Sequence, residues 1–143
     1  MDSLRIEKSY RLVGTELSIE YAALESGLDR FVHLNKGEFI GCNELIKWQQ
    51  NGFSNKFVTL EVHDVLDADP LGNNPIYKGD KVIGRATGGN YGFRIEKSLM
   101  LAMVKPEYAK IGTKLTTDIL GTKHGITIIE ESPYDPQNKL LRE

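Results

Sequence analysis

The chain has 143 residues, 40% of them hydrophobic, which is enough for one domain with a sizeable core. Eighteen basic against twenty acidic residues give a formal charge of -2, which removes the electrostatic argument for nucleic-acid binding through a general basic surface. A single cysteine, Cys42, excludes an internal disulfide, no stretch approaches the ~20 apolar residues of a membrane span, and the opening MDSLRIEKSY is charged without an apolar signal region. The expectation is a cytoplasmic protein with neither nucleic acid nor membrane as a partner, and with Cys42 as a small buried hydrophobe.

In chain order, residues 1–12 place Leu4, Ile6, Tyr10 and Leu12 among charges, a helical or mixed stretch of weak periodicity. Leu17, Ile19 and Tyr21 alternate with polar neighbours, and Phe31, Val32 and Leu34 form a short β-like run ended by Asn35, Lys36 and Gly37. Asn43 can cap a helix whose apolar stripe is Leu45, Ile46 and Trp48 and whose stop is Asn51 with Gly52. After Gly52 the character changes: 57–62, 76–78, 81–87, 99–104, 115–120 and 126–129 are short extended segments separated by turns, the spacing of an all-β barrel or sandwich. Pro70 and Pro75 flank a polar loop, Gly79 and Asp80 make a two-residue hairpin turn, and Pro106, Glu107 and Tyr108 make a turn that ends by Gly112. Gly121 and Gly125 bracket a second hairpin. RIEKS occurs at 5–9 and again at 94–98, but the flanks differ completely, so no repeat follows.

The bend Gly88, Gly89, Asn90, Tyr91, Gly92 invites a phosphate-loop reading and fails as one. Phe93 to Glu96 follow where a dinucleotide fingerprint would open a helix, and Lys97 and Ser98 lack the preceding glycine of a P-loop. Glycines in a strand pattern mark a bulge or a close backbone approach, so a sheet corner is expected. His33, His63 and His124 are scattered without zinc-ligand spacing. Asp67, Asp69 and Gly72 fall on three places of an EF-hand-like loop, but Lys78 stands where the bidentate glutamate belongs, so no metal is expected. No catalytic triad can be assigned from spacing. Arg5 and Glu7 near the start and Arg142 near the end could fork onto a carboxylate or a pterin-like edge, or could be surface ion pairs worth ~0–1 kcal/mol each.

Taken together, SLRIEKSYRLVGTEL (3–17), ALESGL (23–28), LNKGEFIG (34–41), PIYKGDKVIGRATGGNYGF (75–93), KSLMLAMVKPEYAKIGTKL (97–115) and YDPQNKLLR (134–142) resemble the C-terminal part of the glycine-cleavage T-protein (aminomethyltransferase) family, especially the T-protein-like tail of dimethylglycine and sarcosine dehydrogenases. The resemblance implies an α+β, mainly antiparallel β fold: a C-terminal six-stranded β-barrel preceded by a short mixed helix/strand segment, divided as 1–52, the remnant of a folate-binding domain, and 53–143, the barrel. It implies one-carbon transfer to tetrahydrofolate, giving 5,10-methylenetetrahydrofolate. Arg5 would line the folate pocket, Arg142 would match a second arginine near the C-terminus, and Tyr10 and Glu7 share the first block, Glu7 serving equally as a structural ion-pair partner. The family's catalytic aspartate lies in a long N-terminal region that these residues do not contain, so no catalytic residue is assigned and a lone tail is expected to be inactive. That region, or a separate chain supplying it, is then the partner beside folate. The alternative is a non-catalytic barrel that binds or assembles, for instance as a homo-oligomer.

Overall fold

The computed structural model describes residues 1–65, 67–140 and 142, and in it the alternation beyond residue 55 becomes six antiparallel strands. These are β1 (Lys56–Val62), β2 (Pro75–Lys78), β3 (Lys81–Gly92), β4 (Lys97–Val104), β5 (Lys114–Ile119) and β6 (Thr122–Ile129), preceded by helices α1 (Asp2–Glu7) and α2 (Cys42–Asn51). They close into a barrel in the order β1-β4-β3-β2-β5-β6, with β6 returning to β1. The expected α+β, mainly antiparallel fold and its six-stranded barrel are therefore present. Closure leaves no unpaired sheet edge.

Period-2 side-chain alternation sends Val58, Leu60 and Val62 of β1, Met100, Ala102 and Val104 of β4, and Ile126 and Ile128 of β6 into the barrel interior. The outer face of the same wall is also apolar. Phe57, Leu99, Leu101 and Met103 form a second buried cluster, roofed by Ile6 of α1 and flanked by Tyr21, Ile95 and Ile129. Every residue of β4 from Ser98 to Val104 is buried, which explains why its run SLMLAMV shows no polar alternation. Fully burying Ile6 contributes about 1.5–3 kcal/mol to holding α1 on the barrel.

The glycines of β3 have separate jobs. The strand does not stop at Thr87 in a bend; it shifts register between Ala86 and Gly88 and continues paired with β4 to Gly92. The expected corner is thus a bulge within a strand, and the missing side chains are spaces that other elements fill. A Cβ on Gly89 would lie 2.6 Å from the Cβ of Pro70, and one on Gly92 would lie 3.0 Å from the Cγ of Glu7. Gly84 is pressed against its neighbouring strand, with 2.5 Å between an added Cβ and the carbonyl oxygen of Met103.

Other expectations need correction. The residues 31–34 form no strand; Asp29–Phe31 is a single 3-10 turn, and the alternation at 17–21 yields only an isolated bridge between Val13 and Leu17. With no neighbouring strand free in a closed barrel, such a run has nothing to pair with. Asn43 is not the cap of α2: Gly41, at φ 88°, precedes the helix, and Gly52, at φ 85°, ends it. Only Cys42 of its ten residues is buried, and Trp48 stays half exposed. The hairpin turn between Lys78 and Lys81 is as expected, with Gly79 at φ 62°. In the second hairpin the turn is Leu120 and Gly121, both at positive φ, while Gly125 lies inside β6.

Gly84 and Gly88 should respond differently to one methyl group. Gly84→Ala meets backbone on β4 and is expected to destabilise by about 1–3 kcal/mol, whereas Gly88→Ala meets the flexible end of Arg5 at 3.2 Å, with Ile6 Cδ1 at ordinary contact distance, and should change stability by less than about 1 kcal/mol. Urea unfolding of the two variants checks this.

Candidate functional site

The first 28 residues cover the outer face of the barrel with many polar groups, and burial obliges each to find a partner. Glu16 is fully buried at a tight turn made by Leu12 to Leu17. Its Oε2 accepts from the backbone N–H of Leu12 at 2.9 Å and the hydroxyl of Thr15 at 2.6 Å, and its Oε1 accepts from Thr87 of β3 at 2.5 Å. Burial alone would raise its pKa, but the hydrogen bonds from Thr15, Thr87 and Leu12 outweigh burial and hold the carboxyl below its ordinary value. Glu25 does the same work further on: its carboxylate accepts from the N–H groups of Ala22, Ser54 and Asn55, fastening the 22–28 turn to the approach of β1.

Arg5 projects from α1 towards Glu16. Its Nη1 donates to the carbonyl of Tyr10 at 2.9 Å and reaches Glu16 Oε2 at 3.5 Å, while its buried Nε has no hydrogen-bond partner among the described residues. Glu7, two residues on, is 1% exposed. Its Oε1 accepts from the N–H groups of Arg94 at 2.7 Å and Ile95 at 3.4 Å, bracing the turn between β3 and β4, and its Oε2 is buried without a partner among the described residues. Beside it opens a cavity of about 230 Å³ whose wall includes Leu4, Glu7, Tyr10, Arg94, Tyr134 and Leu140. Arg94 lies over the Tyr134 ring, 4.8 Å from its centroid, and donates to the Tyr134 hydroxyl.

The structure thus brings Glu7 and Tyr10 to one cavity and sets Arg5 against the Tyr10 carbonyl. Arg142 is exposed and is not part of that wall; its backbone N–H bonds to Lys139. Sequence reasoning missed Glu16, Glu25 and Thr87, because a lone carboxylate in a turn carries no spacing signal. Cys42 is buried, with its Sγ 3.8 Å from the Leu34 carbonyl, and His63 bonds to Thr127. Among the described residues no group of His, Cys, Asp and Glu is arranged to hold a metal ion, and no helix is long and apolar enough to cross a membrane.

Because the folded pKa of Glu16 lies below its ordinary 4.5, its stabilisation is present above that value and is lost as pH falls through the folded pKa. Glu16→Gln should cost about 1.5–3 kcal/mol at neutral pH. The difference from wild type, followed by chemical unfolding across a pH series, should narrow below pH 4.5.

The chain is similar to larger proteins. It is 37% identical over 132 residues to mouse (Mus musculus) mitochondrial dimethylglycine dehydrogenase, covering 92% of this chain and 15% of that protein. It is 31% identical over 139 residues to an aminomethyltransferase of Synechocystis, covering 96% of this chain and 37% of that protein. The chain therefore spans well under half the length of these relatives. A solved structure of the glycine cleavage system aminomethyltransferase T from Bartonella henselae superposes with a TM-score of 0.85 at 20% identity, over 94% of this chain and 38% of that one, a likeness of fold. Residues 55–135, which hold all six strands, match the glycine cleavage T-protein C-terminal barrel domain, and the chain belongs to that family.

Proposed function

We propose that the chain is the C-terminal portion of a tetrahydrofolate-dependent aminomethyltransferase-like protein, with residues 1–52 forming one wall of a folate cleft and 53–143 the barrel that supports it. The observation that carries this reading is that two buried polar atoms on one helix have no hydrogen-bond partner among the described residues: the Nε of Arg5, which has only the exposed Asp2 carboxylate at 3.9 Å, and a carboxylate oxygen of Glu7. A donor and an acceptor left over in this way suit the mixed edge of a pterin, and the Tyr10 ring, which lines the same cavity as Glu7, suits its flat face. Bound tetrahydrofolate would supply the amine nitrogens that take up the one-carbon unit, giving 5,10-methylenetetrahydrofolate. The share of this chain is placement: α1, clamped to the barrel by Ile6 and Glu16, fixes the direction of Arg5, and the exposed Arg142 would reach a ligand carboxylate. No residue here is assigned to proton transfer. The other walls and the catalytic carboxylate would come from a further segment or a separate chain, and these 143 residues alone would not turn over.

A second reading, a non-catalytic barrel used for binding or assembly, is favoured by one observation: Ile19, Phe31, Ile40 and Trp48 all project into solvent, although Ala22 and Leu24 between them are buried. Isothermal titration with tetrahydrofolate separates the two. Measurable binding that weakens at least about tenfold in Arg5→Ala supports the folate wall, on the scale of one charged hydrogen bond. No heat at millimolar ligand, together with a sedimenting oligomer that Ile40→Asp dissociates, supports the second reading.

A further inference from the structure

A second site lies at the mouth of the barrel, on the inner side of the hairpin whose outer side carries α1; Ser3 of α1 donates to the Tyr91 carbonyl at 2.6 Å. Tyr91 at the end of β3 stands directly across from Ser98 at the start of β4, and Ser98 is also paired across the other strand with Val62. These positions share the inward alternation of Met100 and Ala102, so Ser98 points into the open end of the barrel rather than to its outer wall. There a cavity of about 440 Å³ is bounded by Ser98, Tyr91 and Phe93 on the sheet side and by Asp67 and Asp69 on the loop side.

Three features of this cavity agree on one kind of occupant. Ser98 is 8% exposed, and its hydroxyl oxygen is buried with no hydrogen-bond partner among the described residues. Native proteins seldom leave such a group unmade, so it is held for something that enters. Tyr91 and Phe93 meet edge to face, 5.1 Å between centroids at 78°, and both rings remain exposed, Phe93 at 73%. Two aromatic rings kept together in water present their negative faces to a cation. Asp67 and Asp69 add negative charge, and no lysine or arginine is among the residues of the wall; of the cations next to it in sequence, Lys97 is turned to Glu61 at 2.7 Å and Arg94 to Tyr134.

We propose that the barrel mouth binds a small alkylammonium ion carrying at least one N–H, with its alkyl groups against Tyr91 and Phe93, its charge facing Asp67 and Asp69, and its N–H donated to the Ser98 hydroxyl. The site shares no lining residue with the cavity beside Glu7 and lies on the other face of the same hairpin.

The test is amide NMR on the 143-residue chain titrated with dimethylammonium chloride, with sodium chloride at matched ionic strength and isopropanol, a neutral molecule of similar shape, as separate arms. The expected result is saturable shifts at Tyr91, Phe93 and Ser98 with dimethylammonium only. The double variant Asp67→Asn with Asp69→Asn, both exposed and so expected to fold as wild type, should bind about tenfold more weakly, as should Tyr91→Leu. Ser98→Ala should weaken dimethylammonium more than tetramethylammonium, which has no N–H to donate. Equal shifts with sodium chloride or isopropanol, or undiminished affinity in the Asp67 and Asp69 variant whose spectrum is otherwise native, would overturn the proposal.

Discussion

The structure depends on the burial of β4 from both sides. A strand with one apolar face needs only a barrel interior, but Leu99, Leu101 and Met103 face outwards and would otherwise lie in water. The first 28 residues exist, physically, as the cover for that face. The cover is rich in charge, and this decides its architecture: each carboxylate that comes down onto the barrel arrives with its own donors, three for Glu25, four for Glu16 and two for one oxygen of Glu7. Arg11 follows the same rule, its guanidinium lying 3.9 Å above the Phe57 ring while pairing with Glu131.

The glycines of β3 make that cover possible. Where a side chain would stand, Arg5 lies over Gly88, Glu7 beside Gly92 and Pro70 against Gly89. Helix α1 is only six residues long and would not persist alone, so its conformation is imposed by this seat. Function and stability are consequently hard to separate in this segment. The residue proposed to meet folate, Arg5, also pins Tyr10 and Glu16, and the polar atoms left over at Arg5 and Glu7 are those that packing alone does not explain.

Much of the barrel was legible beforehand because its information is local. Alternating apolar residues, the Gly79 turn and the uninterrupted run of β4 each speak within ten residues, and each of the six expected extended segments holds a strand, although β3 runs on to Gly92 and β6 begins at Thr122. What misled was context supplied from afar. The stretch from Gly88 to Gly92 reads as a bend because glycine has no side chain to show a periodicity; it is a strand because α1 and Pro70 fill the space above it. At 31–34 the β-branched and aromatic composition suggested a strand, but no free edge was there to receive one. The site was legible only in outline. Arg5, Glu7 and Tyr10 stood in a block that could be singled out, whereas Glu16 became visible only when a turn, a helix and a strand converged on it.

The ends of the described chain are fastened to each other. Lys8 bonds to Asp135 and Asn138, Ser9 to Ser132, Arg11 to Glu131, and the Glu7 carbonyl to the N–H of Tyr134. Contacts separated by so much sequence carry the largest loop-closure entropy, so they have to wait until the intervening hairpins have formed. The segment bearing Arg5 is therefore expected to dock after the barrel hairpins close, with Glu131, Ser132 and Asp135 holding it there. A cut or substitution beyond β6, far along the chain from Arg5, would act on that placement while the barrel itself still closes.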